Sequence, residues 1–147
     1  MIPETVPVVT DHLPYQVLAI TAEWAPDGDF PNVSQDKATL SLLEEGLRNA
    51  IDRSRLMDGA ATQKTSLNAT IKRISVPTFA RDLDVSTLVS YEIRDITRGT
   101  VLYSTNVEES GSATTQEAFV ARTRASIAVN RAFKANILKF IAISSKN

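Results

Sequence analysis

The stretch Val85–Val107, VSTLVSYEIRDITRGTVLYSTNV, alternates apolar and polar residues more cleanly than any other part of the chain. Val85, Thr87, Val89, Tyr91 and Ile93 fall on one face of an extended strand, with Ser86, Leu88, Ser90, Glu92 and Arg94 on the other. Asp95–Thr100 follows as a turn in which Gly99 can take positive φ. Val101, Tyr103, Thr105 and Val107 then resume the alternation. Two strands joined this way predict an antiparallel hairpin.

Upstream, Lys64–Pro77 predicts another strand. Leu67, Ala69 and Ile71 alternate, and then the pattern slips by one to Ile74 and Val76. A bulge near Lys72-Arg73 accounts for the slip. Tyr15–Trp24 is rich in β-branched and aromatic residues and apolar on both faces, which predicts an interior strand; the Pro, Gly and Asp of APDGDFPN predict a loop after it. Between these strands, Leu40, Leu43, Leu47, Ala50 and Ile51 recur at helical spacing. They predict an amphipathic helix from Gln35 to Leu56, capped by Ser34 and ending near Asp58-Gly59. After the hairpin, Thr114 and Glu117 have capping-box spacing, and a long helix is expected from about Thr115 to Ile143. The order β-α-β-β-β-α makes the fold class α+β. It is expected to be a two-layer sandwich with a four-stranded mixed sheet and both helices packed on one face. The opposite face, with Ser86, Ser90, Glu92, Ser104 and Asn106, is expected to be exposed or to meet a partner.

The 147 residues suffice for one core, burying roughly two thirds of the unfolded surface. Residues 1–14, with Pro3, Pro7 and Pro14, are expected to form an extended arm ahead of a single domain over 15–147. Residues 1–31 carry five acidic residues and no Lys or Arg. Residues 115–147 carry six basic residues against Glu117 alone, so the arm is expected to be drawn weakly towards the last helix.

The composition excludes much chemistry. With no cysteine and one histidine, disulfides, thiolate nucleophiles and multi-histidine zinc sites are ruled out. Lys+Arg is 16 against 17 Asp+Glu, which argues against a nucleic-acid partner. His12 has no acid or serine near it in sequence to make it a general base. Glu44-Glu45 and Glu108-Glu109 read as solvated charges, and Asp82, Asp84 and Asp95 lack the calcium-loop pattern. No Gly-rich phosphate loop or nucleophile elbow occurs. No catalytic residue, metal ligand or cofactor is therefore expected. Asn32-Val33-Ser34 and Asn68-Ala69-Thr70 fit the short glycosylation pattern. Ser126 and Asn130 lie on the apolar stripe of the last helix between Phe119 and Phe133. They read as a buried polar pair bonded to the sheet or, with Phe119 and Phe133, as the lining of a ligand cleft between that helix and the sheet. Arg124 and Arg131 align two turns apart as a candidate basic surface.

Three segments carry a resemblance: SLLEEGLRNAI (Ser41–Ile51), VSYEIRDITRGTVLYSTNV (Val89–Val107) and AFVARTRASIAVNRAFKANILKFI (Ala118–Ile141). Together they resemble the first helix, hairpin and closing helix of small bacterial cell-envelope lipoproteins. That group includes ABC-type transport auxiliary lipoproteins and the α/β domains of penicillin-binding-protein activators and curli-secretion lipoproteins. The lipid-acceptor cysteine of such proteins is not in this sequence. The resemblance implies a non-enzymatic domain in the periplasm or at the outer membrane, tethered through its N-terminus. Its partners would be other envelope proteins or further copies of itself. The alternative expectation is a small-ligand or lipid-binding domain using the Ser126–Asn130 cleft, and an enzyme is the least favoured reading.

Overall fold

The strand expected at 85–95 is β3 (Leu83–Asp95), and it pairs antiparallel on both sides, with β2 (Lys64–Ser75) and with β4 (Val101–Ala113). In this computed structural model, residues 6–31, 33–76, 82–117 and 120–145 are described. β1 (Gln16–Asp29) lies parallel to β2, so the sheet order is β1-β2-β3-β4. Two helices complete the order, α1 (Lys37–Ser54) between β1 and β2 and α2 (Ala121–Ser144) after β4. This is the four-stranded mixed sheet with two helices that the pattern predicts.

The alternation of β3 is what places the core. Val85, Val89, Tyr91 and Ile93 are buried beside Leu67, Ala69, Ile71 and Ile74 of β2. Leu43, Leu47 and Ile51 of α1, and Phe133, Ile137, Phe140 and Ile141 of α2, cover them. Fully burying each such side chain is worth about 1.5–3 kcal/mol. The slip in β2 is real: its register with β3 shifts between Ile71 and Arg73. The hairpin turn also forms as expected, with Gly99 at φ 71° and its N–H donating to the Asp95 carbonyl at 2.8 Å. The Asp95 carboxylate accepts from the N–H groups of Arg98 and Thr97, at 3.0 and 2.8 Å. The Arg98 bond, then the Gln63 side chain, holds its pKa below the ordinary carboxylate value.

Several local expectations are corrected. β1 is an edge strand, and it runs on through the segment expected to be a loop, to Asp29. A register shift between Val17 and Ala19 leaves Leu18 54% exposed, so its apolar character does not report an interior position. α1 is capped by Asp36 rather than Ser34, through a Thr39 N–H bond to Oδ1 of 2.8 Å; the Thr39 side chain first, and then this main-chain bond, lowers the Asp36 pKa. The helix ends at Arg55, whose φ of 56° is left-handed. α2 begins at Ala121, six residues after the expected start. Thr114 and Glu117 close a separate turn, with the Thr114 N–H donating to Glu117 Oε1 at 3.1 Å and the Glu117 N–H to the Thr114 carbonyl at 3.1 Å.

The described part of the arm is stitched to the end of α1. Val9 N–H donates to the Ser54 carbonyl at 2.9 Å and Leu13 N–H to the Leu56 carbonyl at 2.7 Å. Leu13 is 4% exposed and belongs to the core, so packing begins ahead of residue 15. Main-chain bonds to a helix end hold the arm more specifically than screened charges between chain ends.

Candidate functional site

The loop after β1 and the first turns of α1 face the first half of α2 across a gap. Their side chains enclose a cavity of about 450 Å³, open to solvent. Phe133 is buried at its base, and Ala125, Val129, Val33, Leu42 and Val76 supply further apolar wall. Asn130, Ser126, Ser34 and Thr39 add hydrogen-bonding groups. Trp24 anchors this end of the molecule by donating from Nε1 to the Asp36 carbonyl at 3.0 Å and meeting Phe30 edge to face at 4.9 Å.

Ser126, Asn130 and Phe133, three of the residues singled out in the sequence, line this cavity. Phe119 lies outside the described residues. The cavity lining comes from the loop after β1, from α1, from Val76 and from α2, so the cleft runs between the two helices rather than between α2 and the sheet. Ser126 is exposed and Asn130 half-buried, so neither is the buried polar group expected on the helix stripe.

That role belongs to Asn136. It is fully buried and satisfied on both sides of its amide. The Tyr91 hydroxyl donates to Oδ1 at 2.6 Å, while Nδ2 donates to the Val107 carbonyl at 2.9 Å and to Thr87 Oγ1 at 3.1 Å. The Thr87 hydroxyl donates in turn to the Glu109 carbonyl at 2.9 Å. Burial pushes the Tyr91 hydroxyl pKa far above its ordinary value, so it remains a donor, and its ring stacks on Phe140 at 4.1 Å. The sequence carried a signal for this: Asn136 stands three residues after Phe133 and four before Phe140, on the same stripe.

The candidate basic surface does not form. Arg124 is only 9% exposed. Arg131 forks on to Glu117, with Nη1 donating to Oε1 at 2.9 Å and Nη2 to Oε2, and Nη1 also reaches the Ser112 carbonyl at 2.8 Å. Arg131 first, then the Thr114 N–H, brings the Glu117 pKa down to about 2. The acidic pair Glu108-Glu109 is split between cations, Arg73 at 2.9 Å and Lys139 at 3.4 Å. Asn68, of the second short glycosylation pattern, is held within the sheet surface by Thr21 at 2.9 Å and Glu23 at 3.0 Å; Asn32 lies outside the described residues.

The cavity lining can seat a small apolar group and hydrogen-bond its rim. Among the described lining residues Asp36 is the one ionisable group, and as helix cap its carboxylate is already engaged by Thr39. Among the described residues no group of three or more His, Asp or Glu is placed to hold a metal ion. No described helix is long and apolar enough to cross a membrane.

No protein-family model and no curated protein matches the sequence. Solved structures do match the fold. A DUF330 protein, XCC0632 from Xanthomonas campestris, superposes with a TM-score of 0.65 at 11% identity, over 97% of this chain and 94% of that one. PelC from Paraburkholderia phytofirmans, solved as a dodecamer, gives 0.58 at 10% identity over 95% and 94%. A minor lipoprotein from Acinetobacter baumannii gives 0.55 at 12% identity over 87% and 93%. This chain has a fold that bacterial lipoproteins also adopt. At such identities the fold is what is shared.

Proposed function

We propose that this domain is a non-enzymatic accessory or assembly unit of the bacterial cell envelope, facing the periplasm and working through protein–protein contacts. The observation that carries the reading is the division of the sheet. One face is packed under α1 and α2, while the other is largely polar: Ser66, Asn68, Thr70, Ser86, Ser90, Ser104 and Asn106 surround Leu88, and the charges among them are paired, Glu92 with Arg94 and Glu108 with Arg73. Such a face can approach another protein surface closely without burying a large unpaired charge. The fold shared with lipoproteins supports an envelope location, tethered through the N-terminal side, and the dodecameric PelC supports self-association as one form of contact. The narrower likeness to transport auxiliary lipoproteins, penicillin-binding-protein activators and curli-secretion lipoproteins belongs to this proposal. Photo-crosslinking from Ser90 and Asn106 in intact cells tests it. Discrete adducts with envelope proteins or with a second copy are expected; a face that crosslinks to neither would sink the reading.

The cavity of about 450 Å³ favours a second reading, a small-ligand or lipid-binding domain. Filling it with Val129→Trp should abolish binding of a fluorescent fatty acid. Binding by the parent that survives the substitution would place the lipid elsewhere.

A further inference from the structure

Glycine follows aspartate twice in the chain, at Asp27-Gly28 and at Asp58-Gly59. Such a link can rearrange, because glycine has no side chain to keep its amide nitrogen away from the preceding carboxyl carbon. The fold sets the two links in different surroundings.

Asp27-Gly28 lies inside β1. A Cβ placed on Gly28 would fall 2.2 Å from the Phe30 ring and 3.1 Å from the Ala25 carbonyl, so the main chain is closely packed there. Phe30 is itself held edge to face against Trp24. Turning the Asp27 carboxyl on to the Gly28 nitrogen would push the strand into that ring.

Asp58-Gly59 lies in the connection between α1 and β2, and both residues are exposed. A Cβ placed on Gly59 would meet nothing within 4 Å. Asp58 Oδ1 accepts from the Ala60 N–H at 2.9 Å, a bond that curls the carboxyl along the glycine. Asp58 is also where the N-terminal arm is pinned. Its N–H donates to the Leu13 and Tyr15 carbonyls at 3.2 and 3.1 Å, and its carbonyl accepts from the Ala61 N–H at 3.1 Å. The neighbouring Met57 forms a parallel bridge with Leu13.

We propose that Asp58 is a site of spontaneous isomerisation to isoaspartate, and that the change loosens the arm. The Gly59 nitrogen attacks the carboxyl carbon of Asp58 in its protonated form. A C–N bond forms, and the amide proton and the carboxyl hydroxyl leave as water, closing a succinimide. Water then opens the ring. Attack at the former side-chain carbonyl restores aspartate; attack at the main-chain carbonyl leaves the chain running through the former side chain, one carbon longer, with a free carboxylate beside it. Nothing is oxidised or reduced, and the mass is restored. Both turn bonds, to Ala60 and Ala61, lose the acceptor geometry that they have now. The chemistry needs no partner, so it holds whether or not the sheet face meets one.

The test ages the full chain in warm, mildly acidic buffer and digests it with trypsin. Peptide 56–64 is expected to split into two chromatographic forms of equal mass, with a transient form lighter by one water. The new form is expected to accept a methyl group from a protein isoaspartyl methyltransferase. Peptide 1–37, which carries Asp27-Gly28, is expected to convert roughly tenfold more slowly, because packed main chain opens less often than an exposed turn. Gly59 has open space around it and does not hold a positive φ, so Gly59→Val is expected to melt with the parent. Its branched side chain shields the amide nitrogen, and the conversion at Asp58 should be lost. In the isolated aged form, hydrogen exchange at the Leu13 amide is expected to be faster than in fresh protein. No conversion in peptide 56–64, equal conversion at Asp27, undiminished conversion in Gly59→Val, or unchanged exchange at Leu13 would each overturn the proposal.

Discussion

The two edges of the sheet are treated differently. At the β4 edge, α2 reaches over the strand with its basic side chains: Lys139 donates to the Glu108 carbonyl at 3.0 Å and Arg131 to that of Ser112 at 2.8 Å. Beneath them Asn136 ties the same helix to Tyr91, Thr87 and the β4 main chain. Gly111 lets the helix come so near that a Cβ there would lie 2.3 Å from the Ala132 nitrogen. At the β1 edge, α1 makes apolar contact through Leu43, Leu47 and Ile51, and one carboxylate, Glu44, covers one N–H. An edge is a template for further pairing unless something blocks it. The lesson of the contrast is that polar stitching closes one side of this sheet and leaves the other available.

If α2 is held by its buried amide, Asn136→Ala should be the most damaging change. It strands the Tyr91 hydroxyl and the Val107 carbonyl and opens a void, at about 4 kcal/mol, measurable as a lower urea midpoint. Asn130→Ala serves as the control on the same helix. That side chain is half-buried at the cavity, so it should cost under about 0.5 kcal/mol by the same measurement. Equal losses at the two asparagines would erase the distinction.

Gly111→Ala comes next. Its methyl meets helix backbone rather than a flexible side chain, and α2 must back away at about 2 kcal/mol. Glu44→Ala should cost about 1 kcal/mol while uncovering more of β1, so dimer or higher species should rise in light scattering. The smallest effect is the pH response of the Glu117–Arg131 fork. The folded pKa of Glu117 is depressed to about 2 from 4.5, so its contribution is complete above about pH 4.5 and fades as pH falls towards 2. In Glu117→Gln that part of the acid-induced loss in melting temperature should be absent.

The hairpin was legible because alternation, turn and resumed alternation are all local, from Val85 to Val107. The β2 bulge was legible for the same reason: a one-residue slip moves every following side chain to the other face. The site was harder to read. Ser126 and Asn130 stood out as polar residues on an apolar stripe, yet Asn136, equally polar and deeper in the same stripe, is the one that meets the sheet. Which of the three is covered depends on where along its length α2 touches β3 and β4.

From residue order alone came the element types, the hairpin, the amphipathic helices and the absence of cysteine chemistry. These depend on neighbours within a turn or a pleat. Tertiary structure decided that β1 lies at an edge, that Asn136 rather than Asn130 is sealed in, and that Arg131 is spent on Glu117. Each of those turns on contacts between residues far apart in the chain, and the energy of such a contact is not encoded in the periodicity of either partner.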